Sequence, residues 1–386
     1  MRRTSRVMVA VAAAAAIASC SGTGPPVTGR TTTASPDRPS PPPQVAEVTD
    51  VVKRGAAVVA RSAKNDYLWA YDPGWVSEDG LAAPALATVN GAKLVFTAHW
   101  ARQKGTGTTA DRQMLRVVAL ASATGRPKWT KDIDVPAGLP EAYHDVGEWL
   151  PRVNLHPAVS DGRHIAVAFD YSGHGIDTGD FTIVLDAAQG EQRWQKGFFQ
   201  PAGFAGDALL GIRREPGLKE PLAMALATAD GDTQWDLRSD SLPDPIGDGL
   251  GVVIESRDLG APGPASRTHV MSAETGKALV VLDNGYKCHF DRQETIVCGW
   301  LPLYKRDPHV VAIDRKSGKQ LWELPDDAAK RLAPRIIGAC RGAVYGAVTK
   351  DEIGDDETSY VILDARTGKD KVAEADVRSL PTRCPP

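Results

Sequence analysis

Residues 184–196 read VLDAAQGEQRWQK, and residues 312–324 read AIDRKSGKQLWEL. Aligned on its glycine, the phrase occurs six times, at Gly125, Gly190, Gly231, Gly276, Gly318 and Gly368, with spacings of 65, 41, 45, 42 and 50 residues. A chain with this period must stack one small structural unit after another, because periods of ~40–50 residues belong to propeller blades and helical arrays. The letters exclude the helical choice. Gly, Asp and Thr stand in mid-repeat between short apolar runs, where a helix would be interrupted.

Five residues before each glycine stands a large apolar residue: Leu120, Leu185, Leu226, Met271, Ile313 and Leu363. Four residues after it stand Trp129, Trp194, Trp235, Val280, Trp322 and Val372. Between them lies a turn such as DAAQG, DRKSG or DARTG, whose Asp or Ser can bond the local backbone and whose glycine tolerates positive φ. Each copy is therefore strand–turn–strand. Upstream of each lies a second hairpin, at 84–98, 157–169, 203–212, 245–256, 286–300 and 335–348, several with Asn-Gly, Asp-Gly or Arg-Gly turns. Asn-Gly and Asp-Gly between apolar runs are strong hairpin signals. Two hairpins per period give four strands, which is the composition of a propeller blade.

The phrase resembles the PQQ-like, or quinoprotein-like, β-propeller repeat, in which an LDxxTGxxxW motif joins the two outer strands. The resemblance covers roughly residues 84–376. It implies an all-β propeller whose tryptophans pack between neighbouring blades. Two copies lack the tryptophan, and the first has Ala121 in place of aspartate. Seven blades are expected, with six or eight as alternatives. Residues 56–72 contain two further β-like runs without the repeat letters, and together with the tail around Cys384 they would complete a composite blade. Quinoprotein dehydrogenases of this fold carry adjacent cysteines beneath the cofactor, a calcium site and a catalytic aspartate. This chain has no Cys-Cys pair, and none of its motifs matches the calcium ligands or that aspartate. PQQ is accordingly not expected as a cofactor. No serine lies in a G-x-S-x-G elbow and no H-E-x-x-H is present, so no catalytic residue is assigned.

The connections between the second and third strands are longer than the turns, at 99–113, 170–180, 213–221, 256–267, 300–309 and 349–359, and so is the link at 132–157. In a propeller these all emerge on one face, and loops on a rigid scaffold are the usual place for function. The candidate binding face therefore carries His99, Trp100, His144, Trp149, His174, Trp300, Tyr304 and His309. Asp170, Asp177, Asp180 and His174 fall within eleven residues, and carboxylates so clustered suit a hard cation. The EF-hand spacing is missing, solvated loop carboxylates are the expectation, and no metal is assigned. DEIGDD at 351–356 reads the same way.

The chain ends add an address. Arg2, Arg3 and Arg6 precede a dozen apolar residues, Val7 to Ala18, which is too short for a bilayer span and fits a signal peptide. Ile17-Ala18-Ser19-Cys20 resembles the lipobox of bacterial lipoproteins, which implies removal of residues 1–19 and lipidation of Cys20. Residues 20–45, rich in Pro, Thr and Ser, cannot bury enough apolar surface to fold and read as a stalk. The propeller is expected over 46–386. The stalk and an Ala/Arg-rich composition look like a high-GC Gram-positive, actinobacterial lipoprotein at the outer face of the cytoplasmic membrane. The chain has 45 basic and 48 acidic residues; without the three leader arginines 42 face 48, a net charge of −6. No basic block stands out, so nucleic acid is not an expected partner. Four cysteines remain after Cys20. They allow three pairings; a local Cys288–Cys298 bridge, leaving Cys340 with Cys384, is the expected one. The functional expectation is a monomeric, anchored, non-catalytic ligand- or protein-binding scaffold. The alternatives are a PQQ-dependent dehydrogenase and a glycan-binding surface lipoprotein.

Overall fold

The computed structural model describes residues 47–74, 80–103, 106, 108, 112–134, 152–173, 176–247, 249–256, 266–300, 308–352 and 355–372. Every regular element among them is a β-strand, and the strands form seven antiparallel sheets. The first sheet holds Val48–Arg54, Ala57–Ser62 and Tyr67–Tyr71. The second holds Ala85–Val89, Ala92–Gln103, Arg112–Ala121 and Pro127–Asp134. In the third, Arg152–Leu155 and Val159–Ser160 both pair with His164–Gly173, followed by Ile176–Asp186 and Gln192–Gly197. The fourth is Phe199–Ala205, Ala208–Arg213, Leu222–Ala227 and Thr233–Arg238. The fifth is Asp244–Gly247, Leu250–Ser256, Ser266–Ser272 and Ala278–Asp283. The sixth is Lys287–Phe290, Thr295–Trp300, His309–Asp314 and Gln320–Leu324. The seventh is Arg335–Cys340, Ala343–Glu352, Asp355–Asp364 and Asp370–Val372.

Chain order is spatial order in these sheets, as hairpin succession dictates. First strands of successive sheets neighbour one another, from the second sheet through to the seventh. The second and third strands are the most deeply buried and the last the most exposed: Ala208–Arg213 and Leu222–Ala227 lie almost wholly inside, whereas Thr233–Arg238 alternates between exposed and half-buried. The core therefore fills the gaps between sheet faces, and the architecture is a β-propeller.

The repeat letters explain how the sheets are fastened. All six repeat glycines have φ between 66° and 78°, and each glycine N–H donates to the carbonyl four residues back at 2.8–2.9 Å. Such φ values are costly for any residue with a Cβ. The glycine also makes room for a neighbour. A Cβ on Gly190, Gly231 or Gly368 would lie 2.7–2.8 Å from the indole of Trp129, Trp194 or Trp322, which belongs to the preceding sheet. Each of these indoles donates its Nε1–H to the carbonyl three residues before that glycine: Trp129 to Ala187 (3.1 Å), Trp194 to Thr228 (3.0 Å) and Trp322 to Ala365 (2.7 Å). Trp235 does the same against Gly276 and Ala273 (2.7 Å). The indole both fills the seam between sheets and satisfies a turn carbonyl, as the quinoprotein-like resemblance implies.

Two expectations need correction. Residues 56–72 adopt the repeat geometry and carry its tryptophan, although the other repeat letters are absent. Trp69 packs on Gly125 and donates to the Ser122 carbonyl at 2.5 Å, and four residues before it Asn65 takes the glycine's place at φ 66°. Its strand also skips register as the later copies do, with Ala60 opposite Trp69 and Arg61 opposite Tyr67. Asparagine is the other residue that enters this region with little penalty. Secondly, strand pairing extends into the connections at 99–113, 170–180 and 349–359, which the sequence reads as loop throughout. Ala92–Gln103 pairs with Arg112–Ala121 out to Gln103↔Arg112, and the pairs His164–Gly173/Ile176–Asp186 and Ala343–Glu352/Asp355–Asp364 extend likewise. The 132–157 link also ends in a strand, Arg152–Leu155, so the third sheet has five.

Cys288 and Cys298 face each other across the first two strands of the sixth sheet and form a disulfide, Cα–Cα 4.0 Å. Cys340 is disulfide-bonded as well; its expected partner Cys384 lies outside the described residues, as do the leader, Cys20, the stalk to residue 45 and the C-terminal tail proposed to complete the first sheet.

Candidate functional site

The long-connection rim is built from the far ends of the second and third strands. Of the eight residues expected there, His144, Trp149, His174 and Tyr304 lie outside the described residues. The other four sit on strands, turned into the ring. His99 is 3% exposed. Its Nδ1 lies 3.1 Å from the Trp100 carbonyl and its Nε2 3.4 Å from the Tyr71 hydroxyl. A carbonyl only accepts, so Nδ1 carries the proton and Nε2 accepts from the tyrosine. Burial pushes the His99 pKa down and that of Tyr71 up, holding both neutral. Trp100 meets Phe169 of the third sheet edge-on at 5.2 Å. Trp300 packs against Tyr286 at 6.4 Å. His309 donates from Nε2 to Glu323 Oε1 at 2.6 Å and accepts at Nδ1 from the Tyr286 hydroxyl at 2.8 Å. These side chains close seams and sheet ends.

The structure brings forward a cluster absent from the sequence reading. Asp180, only 6% exposed, accepts from His156 Nε2 at 3.2 Å and lies 3.5 Å from Arg214 Nη1. Gln200 joins them: its Nε2 donates to His156 Nδ1 at 3.3 Å and its Oε1 accepts from Arg214 at 2.6 Å. His156 is thus held between a carboxylate at Nε2 and an amide at Nδ1. Beside it opens a cleft of about 400 Å³, lined by His156, Gln200, Pro201, Leu242, Asp244 and Pro245. It lies where the inner strands of the third, fourth and fifth sheets meet the long-connection rim. The volume falls in the range of ~300–1,000 Å³ common for small-ligand sites. This arrangement can hydrogen-bond a polar ligand.

The carboxylate constellation behaves otherwise than a cation site. Asp170 accepts from the Asn154 backbone N–H (2.9 Å) and side-chain amide (3.3 Å), while Asp180 is committed to His156 and Arg214. Asp177 belongs to the strand Ile176–Asp186, and His174 lies outside the described residues. Among the described residues no three His, Cys, Asp or Glu side chains converge to hold a metal ion, and no helix is long and apolar enough to cross a membrane.

A second and larger cleft, about 730 Å³, opens on the opposite rim at the short turns of the fifth, sixth and seventh sheets. Nothing in the loop-length argument pointed there. A signal was nevertheless available, because this seam belongs to the copy with Val280 in place of tryptophan.

No protein-family model matches the chain. No curated protein matches it either. Among solved structures, the chain is similar to the quinohemoprotein alcohol dehydrogenase from Comamonas testosteroni, at 12% identity over 83% of this chain and 64% of that one, TM-score 0.44. It is also similar to a europium-containing methanol dehydrogenase (12%, 83% and 75%, TM-score 0.43) and to the β-propeller domain of the Trilobed protease from Pyrococcus furiosus (9%, 58% and 72%, TM-score 0.40). The chain spans just under two thirds of the length of the Comamonas enzyme.

Proposed function

We propose that this chain is a lipid-anchored, extracytoplasmic protein whose propeller presents a non-catalytic platform for a ligand or protein partner. The observation that supports the reading is the one-sided set of paired-strand arms, Ala92–Gln103 with Arg112–Ala121 foremost. A strand pair keeps its backbone groups bonded to each other, so it projects rigid surface where a loop would have to be ordered on binding. The leader and the lipobox-like Cys20 support a position outside the cytoplasmic membrane, with the stalk as spacer.

The quinone cofactor of the resembling dehydrogenases does not fit these residues. The described disulfide joins paired strands of one sheet, and both sulfurs are buried in the seam between the fifth and sixth sheets, so no adjacent-cysteine ring is on offer. Trp100 and Trp300 are packed inward, which removes the two main stacking platforms of a glycan site. A photo-crosslinking residue at exposed Thr108, on the arm side, is expected to capture a discrete partner in intact cells, whereas one at Glu191, on a short turn, is not. Equal capture from both positions, or dye reduction by the protein reconstituted with PQQ and calcium, would sink the proposal. Cys20→Ser is expected to abolish membrane retention, read by fractionation.

A further inference from the structure

We infer that the seam between the fifth and sixth sheets is a binding site for a small aromatic carboxylate. Of the five seams between the second and seventh sheets, four hold an indole between a last strand and the next turn; the fifth–sixth seam has Val280 at that position instead. The consequence is visible at Gly318. Its space is faced by Leu279, whose carbonyl lies 2.5 Å from the position of a glycine Cβ, where the other five repeat glycines face a tryptophan ring. The cleft of about 730 Å³ lies at this seam, well within the range of small-ligand sites.

Its lining has two characters. Leu250, Ala278 and Leu279 give an apolar wall on the fifth sheet, against which a flat ring can lie beside the Leu279 that faces Gly318. The turns around it supply Lys277, Arg315, Lys316 and Arg366 against Glu294 and Asp314. Both acids are engaged by Arg366, at 2.8 Å and 3.6 Å. Lys277 and Lys316 are exposed and form no ion pair among the described residues. The cleft therefore carries an excess of two positive charges in a chain whose net charge is negative. An apolar slot with a cationic rim selects a planar apolar body bearing a carboxylate, free in solution or displayed by a peptide. This site is independent of anchoring and of the arm-bearing rim.

Indole-3-acetate serves as the probe for the free acid and an acetyl-Glu-Trp-Glu-amide peptide for the displayed form, each titrated by calorimetry into the soluble propeller at low salt. Saturable binding of either is expected. Lys277→Glu with Lys316→Glu should weaken it at least tenfold, indole-3-acetamide should bind at least tenfold more weakly than the acid, and Val280→Trp should abolish it. Binding by the acid alone assigns a small-molecule ligand and binding by the peptide alone a partner segment; both support the site. No saturation by either probe up to millimolar concentration overturns the inference, as does binding that survives Val280→Trp. A thermal melt of each variant establishes that the loss of binding is not loss of fold. Lys277 and Lys316 are surface positions, so the charge reversal keeps the test decisive if Val280→Trp misfolds.

Discussion

The third–fourth and fifth–sixth seams use the same turn, the same glycine and the same register, yet they are closed differently. Trp194 fills the first: its ring lies against Gly231 and its N–H reaches the Thr228 carbonyl. In the second, Val280 and Leu279 stand half-buried beside an open cleft, and a cluster around Tyr286 and the Cys288–Cys298 pair supplies the packing. The comparison separates what the turn needs from what the seam needs. The glycine conformation persists without the indole, so the backbone shape belongs to the repeat, and the side chain filling the seam is a local choice.

The largest test of this contrast is truncation. Trp194→Ala should cost about 3–5 kcal/mol, as removal of a buried aromatic usually does. Val280→Ala should cost about 1 kcal/mol, since a half-buried valine loses only two methyl groups. Chemical denaturation reads both, and equal losses would erase the distinction. Next comes the disulfide. Its loop of about ten residues corresponds to ~2–3 kcal/mol by chain entropy. A Cys288→Ser/Cys298→Ser double variant losing that much would indicate that the sixth sheet relies on its own tie where the indole is missing.

Backbone strain ranks third. Gly231→Ala places a Cβ at φ 78° against the Trp194 ring and should cost about 2 kcal/mol or more. Asn65→Gly, at a comparable φ, should stay within about 0.5 kcal/mol. The smallest effect is electrostatic. The His309 hydrogen bond, with that from Gln320, outweighs burial and lowers the Glu323 pKa below its usual 4.5. A depressed carboxylate stabilises the fold above its unfolded pKa and loses that contribution as pH falls through the folded value. Stability should therefore decline by a fraction of a kcal/mol below about pH 4.5, given a half-exposed pair. Glu323→Gln should flatten that part of a pH-dependent melting curve.

The blade plan was legible because it lies in local letters. Apolar–turn–apolar spacing and a glycine forced to positive φ do not depend on distant residues, and six copies reinforced each other. The copy at Asn65 escaped because the alignment was keyed to glycine, although the underlying demand is for a φ that asparagine also meets. The third sheet's arm escaped because Gly, Thr and Asp in 170–180 read as loop by composition, while cross-strand pairing decided otherwise. His156, Asp180, Gln200 and Arg214 come from separate strands and connections, 24 and 44 residues apart for the partners of His156. Only the curvature of neighbouring sheets brings them together, and no local pattern encodes that. The cleft at Val280 was written in the sequence, as a missing tryptophan, but it passes for ordinary drift until the gap is seen.

Each indole reaches toward the sheet that follows it in the chain: Trp69 to the second, Trp129 to the third, Trp194 to the fourth, Trp235 to the fifth and Trp322 to the seventh. For a polypeptide delivered amino end first, each clasp stays open until the next unit arrives to close it. Either cut bares the apolar face of the neighbouring sheet; shortening from the carboxyl end also strands an indole at the new terminus, whereas shortening from the amino end adds only a carbonyl that water can serve. The two ends of the ring therefore differ in what their loss exposes, and deletions from the carboxyl side should aggregate more readily.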